Sequence, residues 1–195
     1  MIAYLSGQFT VKNPAYMVVE CNGVGYQVHI SLATYSKIQG MEKGRIHTYM
    51  VVREDAQLLF GFADETEKNM FVNLLSVQGV GPNTARMILS SMNVDELEQA
   101  ILSENDPLIQ KIKGVGPKTA KRIVIDLKDK VVKGSTGTEN SFGASHNTIK
   151  EEALIALAML GFSRQQGEKA IAAALKNSPN PVDVENLIKL ALKNL

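Results

Sequence analysis

Cysteine, histidine and tryptophan are scarce in this sequence of 195 residues. The single cysteine, Cys21, cannot form a disulfide within the chain, which is typical of a reducing compartment and predicts a cytoplasmic location. One cysteine also excludes a cysteine-rich metal centre. The three histidines, His29, His47 and His146, lie far apart and lack the spacing of zinc ligands. We therefore predict that the protein holds no metal and no other cofactor.

Long apolar runs and nucleotide-binding motifs are also missing. The chain has no run of about eighteen apolar residues, the length that would predict a membrane span. Its first residues, MIAYLSGQFTVK, lack the charged-then-apolar pattern of a signal peptide. The P-loop pattern G-x-x-x-x-G-K-[ST] does not occur, so ATP hydrolysis by this chain is not expected. These absences predict a non-catalytic protein with no membrane partner.

Charge is nearly balanced overall but uneven along the chain. The formal net charge is +1, which excludes a general polycation. Residues 108–133, however, carry eight lysines and arginines against two acids, whereas residues 71–107 carry one arginine against five acids. A local basic patch can bind a polyanion even when the total charge is near zero. The segment 108–133 is therefore a candidate polyanion-binding region.

The first third of the chain predicts a small β-barrel. Five segments are rich in β-branched and aromatic residues and read as strands: 2–5, 16–20, 24–30, 46–52 and 58–62. Asn22-Gly23 is a strong hairpin signal between the second and third. We predict an OB-like barrel over residues 1–63.

The remaining residues predict two helical regions joined by a polar linker. Apolar residues recur at helical spacing over 64–133, with glycine turns between short helices. Residues 134–147 are small and polar and predict a flexible linker. In 148–195, capping-box spacings at Thr148 and Ser163 and a proline at 181 predict a three-helix, UBA-like bundle. The predicted fold class is a multidomain α+β protein.

One short pattern occurs twice in the first helical region. GVGPNTA at 79–85 returns as GVGPKTA at 114–120, an offset of 35 residues, with apolar flanks in register. The pattern looks like the helix-hairpin-helix motif, in which glycines permit a sharp turn and the valine anchors it. The simpler alternative is a pair of ordinary turns within a helical bundle. Proline and alanine matched in both copies favour the motif.

Such a hairpin is suited to binding phosphate. Backbone N–H groups at the start of the second helix are unpaired, and the helix dipole adds positive potential there. A site built on these groups reads the nucleic-acid backbone and ignores the bases. The candidate phosphate-binding residues are Gly79, Val80, Gly81, Asn83, Thr84 and Arg86 in the first copy, and Gly114, Val115, Gly116, Lys118, Thr119, Lys121 and Arg122 in the second.

Two adjacent acids stand out near the end of the predicted barrel. Glu54 and Asp55, within VVREDAQLLFGF at 51–62, lie between two predicted strands and are expected to cap a hairpin. They could form a solvated turn, since aspartate is common in turns. They could also be proposed as metal ligands of a nuclease. No third carboxylate or catalytic lysine is evident nearby in the sequence.

The order of these features closely resembles the RuvA family of bacterial Holliday-junction-binding proteins, over essentially all 195 residues. The resemblance implies four protomers in a flat square that holds an open four-way junction, with tetramer or octamer left open. It implies that Glu54 and Asp55 form an acidic pin at the crossover. It further implies a hexameric RuvB ATPase and the RuvC resolvase as partners in recombination and DNA repair.

The resemblance also implies that the C-terminal bundle docks on the RuvB motor. Leu157, Leu160 and Phe162 are the predicted exposed contacts for that partner. Two other functions remain open from the residues alone. The chain could be a passive adaptor that binds duplex DNA, or a structure-specific nuclease that uses the hairpins for grip.

Overall fold

The computed structural model of the protein describes residues 1–135, 145–177 and 183–194. It divides the chain into two compact units, Met1–Ser135 and Thr136–Leu195. Of the predicted linker, residues 134–135 end one helix and 145–147 begin another, and 136–144 lie outside the described residues, as does Pro181. No helix in the described ranges is both long and apolar enough to cross a membrane.

The first unit begins with the predicted barrel. Its strands are β1 (Tyr4–Asn13), β2 (Tyr16–Cys21), β3 (Val24–Ile30), β4 (Lys43–Val52) and β5 (Gln57–Phe62). They close in the order β1-β2-β3-β5-β4, and every pairing is antiparallel except β3 with β5. Asn22 and Gly23 have φ of 50° and 83°, as a tight hairpin turn requires, which confirms the predicted turn.

The barrel contains a short helix that the sequence does not predict. It is α1 (Leu32–Ile38), which lies between β3 and β4. Ser31 caps it, because its Oγ accepts a hydrogen bond from the Thr34 amide at 3.0 Å. The segment has β-branched and aromatic residues and only seven positions, so its sequence carries little helical periodicity.

The predicted run of short helices follows. The helices are α2 (Glu65–Leu75), α3 (Pro82–Ser91), α4 (Val94–Leu102), α5 (Asp106–Gln110) and α6 (Pro117–Ser135). Asp64 and Asn93 cap α2 and α4 through side-chain oxygens, and Asn93 with Glu96 forms a full capping box. By contrast, Gly81 begins α3 without any side-chain cap.

The barrel has an apolar core of its own, and residues of its β4 and β5 also pack into the core of these helices. The Phe71 ring of α2 lies 5.2 Å from the Phe60 ring and 4.9 Å from the Phe62 ring, both on β5. Tyr49 on β4 adds an edge contact to Phe71 at 5.7 Å. Since all three are barrel residues, the β4–β5 hairpin is tied to the helices through this aromatic cluster.

A buried carboxylate adds a second tie between barrel and helices. Glu67 on α2 accepts hydrogen bonds from the Ser31 and Thr34 hydroxyls of the barrel, the latter at 2.7 Å. Burial raises the pKa of Glu67, although both hydroxyl donors act to lower it. Beside it, Lys37 of α1 pairs with Asp64 at 2.5 Å. These contacts fix α1 against the start of α2.

The second unit is a small bundle of α7 (Ser145–Met159), α8 (Arg164–Asn177) and α9 (Val184–Leu192). The predicted capping box at Ser163 is confirmed, since its amide donates to Gln166 Oε1 at 3.0 Å and its Oγ accepts from the Gln166 amide. Gly161, with φ of 96°, lies just past the end of α7, where a left-handed glycine commonly stops a helix. The predicted cap at Thr148 is wrong, because α7 begins three residues earlier.

Candidate nucleic-acid interface

The first hairpin joins α2 to α3 through a buried anchor. Val77 and Val80 are buried, and the Val80 amide donates to the Val77 carbonyl at 3.1 Å to close the turn. Gly79 between them has φ of 94°, a backbone conformation that residues other than glycine rarely adopt. The Ala85 amide then donates to the Gly81 carbonyl at 2.9 Å and begins α3.

The second hairpin repeats this geometry between α5 and α6. Gly114 has φ of 92°. The Val115 amide donates to the Ile112 carbonyl at 3.0 Å, and the Ala120 amide donates to the Gly116 carbonyl at 2.9 Å. Each hydrogen bond has its counterpart 35 residues earlier, at a length that differs by no more than 0.1 Å. The repeated letters therefore build the same backbone twice.

This geometry corrects the predicted role of the two valines. Val80 and Val115 are among the residues that the sequence predicts to bind phosphate. Their side chains are buried, and their amides already donate within the turn. Both residues therefore anchor the hairpin and offer no free N–H group to a ligand.

The two glycines of each copy have different purposes. Only Gly79 and Gly114 have positive φ, whereas Gly81 has an extended conformation with φ of −91° and ψ of 171°. A Cβ built on Gly81 or Gly116 would meet no protein atom within 4 Å. The second glycine is thus not required by the turn. Its missing side chain instead leaves the surface open above the helix start.

Unpaired amides lie at that open surface. The amides of Asn83 and Thr84 precede the first α-helical hydrogen bond of α3, and they have no acceptor among the described residues. The amides of Lys118 and Thr119 are in the same situation at the start of α6. Each helix start can therefore accept an anion through main-chain N–H groups, with help from the helix dipole.

More positive side chains lie on the first turns of the second helix than on those of the first. Lys118 and Lys121 are exposed, and neither has a carboxylate partner within the described part of the chain. Arg122 is also exposed, and its Nη1 donates to the Gln78 Oε1 at 2.9 Å. These predicted residues lie together on the first turns of α6.

Farther along α6 the lysines have other partners. Lys128 forms an ion pair with Glu104, which holds the pKa of that carboxyl below its usual value. Lys130 donates to the Ser76 hydroxyl at 2.7 Å. Among the described lysines of α6, only Lys128 is therefore paired with a carboxylate, and Lys118 and Lys121 lie beside the hairpin.

Arg86 has a different position from the one expected. Its Nη1 donates to the Ala15 carbonyl at 2.8 Å, in the turn between β1 and β2. Burial, and then the charge of Arg86, lower the pKa of His29 on the adjacent strand β3. Arg86 therefore joins α3 to the barrel through one of its N–H donors, and its role as a phosphate ligand stays a prediction.

The two hairpins are close neighbours. A Cβ on Gly79 would lie 3.7 Å from the Thr119 Oγ1 at the start of α6. The Arg122–Gln78 hydrogen bond crosses the same boundary. Gln78 and the exposed Lys113 occupy equivalent positions before the two turns, and neither is among the predicted site residues. The 35-residue offset could have pointed to both residues, because it places them in equivalent positions just upstream of the two GVGP segments.

The acidic pair lies at a hairpin tip, as predicted. Val52 on β4 pairs with Gln57 on β5, and the Arg53 amide donates to the Ala56 carbonyl at 2.8 Å across the loop. Glu54 and Asp55 are exposed at the end of that loop. Among the described residues, no three His, Cys, Asp or Glu side chains come together as metal ligands.

The second unit presents an apolar patch at the end of α7. Ile155 is 54% exposed, Met159 84% and Leu160 59%. Leu157 is predicted to be an exposed contact, but it is completely buried in the bundle core. Phe162 is partly buried and packs against that core. Of the three predicted contacts, only Leu160 is well exposed.

Comparison with known proteins covers nearly the whole chain. The RuvA N terminal domain family matches residues 1–61, the SAM-like helix-hairpin-helix tandem matches 71–129, and the RuvA C-terminal domain matches 148–195. The chain is 48% identical over 195 residues to the Holliday junction branch migration complex subunit RuvA of Christiangramia forsetii, covering 100% of both. It is 46% identical over 198 residues to the RuvA of Cytophaga hutchinsonii, covering 99% of both. The chain belongs to the RuvA family.

Proposed function

We propose that this protein binds four-way junction DNA through its backbone phosphates and couples that DNA to the RuvB ATPase during branch migration. The observation that carries the proposal is the repeated helix start. Each copy has unpaired amides next to a glycine with open space where a side chain would be. Phosphate contacts of this kind position a protein on DNA without reading sequence, as a protein that acts on any junction requires. The proposal includes a cytoplasmic location and recombination and repair as the process.

Binding by one hairpin pair is expected to be weak. Two neighbouring amide sites can hold the two strands of one duplex arm. Four protomers in a closed ring would present four such pairs to four arms and gain avidity through effective concentration. A homotetramer is therefore part of the proposal, and RuvC is a further partner of the complex.

The acidic tip gives preference for a junction over a duplex. Glu54 and Asp55 are exposed, and the aromatic cluster around Phe71 ties their hairpin to the helices that carry the amide sites. Two carboxylates repel a continuous phosphate backbone but fit the open centre of a junction, where strands separate into different arms. The neighbouring Arg53 offsets part of that repulsion.

The exposed end of α7 is proposed to bind the motor. Ile155, Met159 and Leu160 lie on one stretch of surface, and exposed apolar groups of this kind mark protein contacts. Met159→Asp combined with Leu160→Asp is expected to leave junction binding unchanged and to abolish stimulation of RuvB. Full stimulation by that variant would contradict this assignment.

A gel-shift comparison tests the DNA-binding proposal. The purified chain should bind a four-way junction at least about tenfold more tightly than linear duplex of equal length. Equal affinities would favour the passive adaptor. Incubation with Mg²⁺ should leave a labelled junction intact, whereas cleavage that disappears in Asp55→Asn would establish the nuclease.

The tip is tested by removing its charge. Glu54→Gln with Asp55→Asn is expected to tighten duplex binding by about fivefold, since two like charges about 4 Å apart in water repel by about 1 kcal/mol. Junction preference should fall accordingly. Glu42→Gln is the control, because Glu42 precedes β4 and therefore lies at the end of that strand opposite the tip. An equal change in the control would contradict a specific role for the tip.

A further inference from the structure

We propose that Gln78 is a positioning residue that holds the Arg122 guanidinium against the DNA backbone and thereby couples the two hairpins. Gln78 immediately precedes Gly79 in the first hairpin, and Arg122 follows the second hairpin on α6. Their side chains meet through a hydrogen bond of 2.9 Å between residues 44 positions apart in the chain. The inference rests on the proposed function, because its ligand is the phosphate backbone of the junction.

The geometry leaves most of Arg122 available for a ligand. A guanidinium carries five N–H donors in a planar fork, and Gln78 takes one of them at Nη1. Both residues are exposed, so a phosphate can approach the remaining donors. A Cβ built on Gly79 would lie 3.7 Å from the Thr119 Oγ1, so the first turn lies next to the start of α6 at this boundary. Arg122 is therefore held at the boundary between the two hairpins.

The acceptor of the Arg122 hydrogen bond can position that side chain without neutralising its charge. Elsewhere, Lys128 and Lys37 pair with the carboxylates of Glu104 and Asp64, which reduce the net charge at those points. The acceptor at Arg122 is instead a neutral amide oxygen. It restrains a long, flexible side chain while leaving its full positive charge for DNA. A side chain ordered before binding loses less conformational entropy when it binds.

A double-mutant cycle on the full chain tests this coupling. Four-way junction affinity is measured for wild type, Gln78→Ala, Arg122→Ala and the double variant. Gln78→Ala should weaken binding by about threefold to tenfold and Arg122→Ala by more, as expected for hydrogen bonds to a charged group. The double variant should bind like Arg122→Ala alone, because Gln78 acts through that residue. Gln99→Ala, another exposed glutamine, should bind like wild type.

The salt dependence of binding gives a second readout. Removing one cation that neutralises a phosphate lowers the slope of log affinity against log salt by about 0.9. Gln78→Glu keeps an acceptor at the same place but adds a negative charge beside Arg122. Its slope should therefore fall toward that of Arg122→Ala, while its melting temperature stays near the wild-type value. A purely structural hydrogen bond would not change the slope.

The outcomes separate this inference from the proposed function. If Gln78→Ala costs the same factor with and without Arg122, the two residues act independently and the inference is overturned. Wild-type affinity in Gln78→Ala would overturn it as well. Both results leave the junction preference of the wild-type protein intact. If the wild-type chain itself does not prefer a junction, the proposed function fails and the inference fails with it.

Discussion

The two hairpins have the same backbone but different charge. Gly79 and Gly114 have φ of 94° and 92°, and the hydrogen bonds that close each turn agree within 0.1 Å. The second copy has Lys118 and Lys121 at its helix start, and the equivalent residues of the first copy are Asn83 and Arg86. The one arginine of the first copy is directed to the barrel.

This difference separates two physical contributions to one activity. Main-chain amides depend on the turn, which the repeated letters determine. Long-range attraction depends on side-chain charge, which the unrepeated letters determine. The first hairpin is thus expected to fix a phosphate at short range, and the second is expected to attract DNA as well.

The largest expected effect comes from breaking the shared backbone. Gly79→Ala or Gly114→Ala places a Cβ at a positive φ, which costs about 1–2 kcal/mol and displaces the amides that follow. We expect each variant to bind the four-way junction about tenfold more weakly, and the double variant about a hundredfold. Gel-shift titration measures the loss, with thermal melting to confirm that the variants are folded.

Gly40→Ala is the control for that experiment, because Gly40 lies outside both hairpins. Its φ is not positive, and its Cβ would meet no protein atom within 4 Å. Its melting temperature and its junction affinity should both stay near the wild-type values. A folded Gly79→Ala, Gly114→Ala double variant with wild-type affinity would refute the role of the amides.

Much of this arrangement could be predicted from local patterns. The Asn22-Gly23 turn, strands β2 to β5 and the positive φ of Gly79 and Gly114 all follow from short stretches of sequence, whereas the first strand, predicted over 2–5, runs over Tyr4–Asn13. The exposed acidic tip follows in the same way, because two strands flank Glu54 and Asp55 closely. In each case the residues that determine the feature are neighbours in the chain.

The features that could not be predicted depend on contacts between distant segments. Arg86 faces Ala15 across 71 positions, and no local pattern assigns its direction. Gln78 meets Arg122 only because the two hairpins pack together. The prediction for Leu157 is wrong because amphipathic spacing places a residue on a face without showing which face a small bundle covers.

A smaller effect should distinguish the charges of the two copies. Lys118→Ala is expected to weaken junction binding by about fivefold to tenfold, because the variant cannot make a charge-assisted hydrogen bond to a phosphate. The slope of log affinity against log salt should fall by about 0.9 for each such cation removed. Asn83→Ala, the equivalent change in the first copy, should alter affinity by less than about twofold and leave the slope unchanged.

The difference between Lys118→Ala and Asn83→Ala tests whether the two hairpins contribute different charge to binding. Both side chains are exposed at equivalent positions on the first turns of α3 and α6. Stability effects should therefore be similar, and melting curves will test that assumption. If Asn83→Ala changes the salt slope as much as Lys118→Ala, the two copies are electrostatically equivalent in the complex and the distinction made above is wrong.

The smallest expected effect comes from making the copies alike. Asn83→Lys should improve junction affinity by about twofold to threefold and steepen the salt dependence, although a cation near a helix N-terminus costs about 0.3–1 kcal/mol of stability. Ser91→Lys is the control, since it adds the same charge at the exposed far end of α3. If both variants bind equally well, the gain reflects total charge. A gain in Asn83→Lys alone would mean that the first hairpin already holds a phosphate within reach of that side chain and lacks only the charge to attract it.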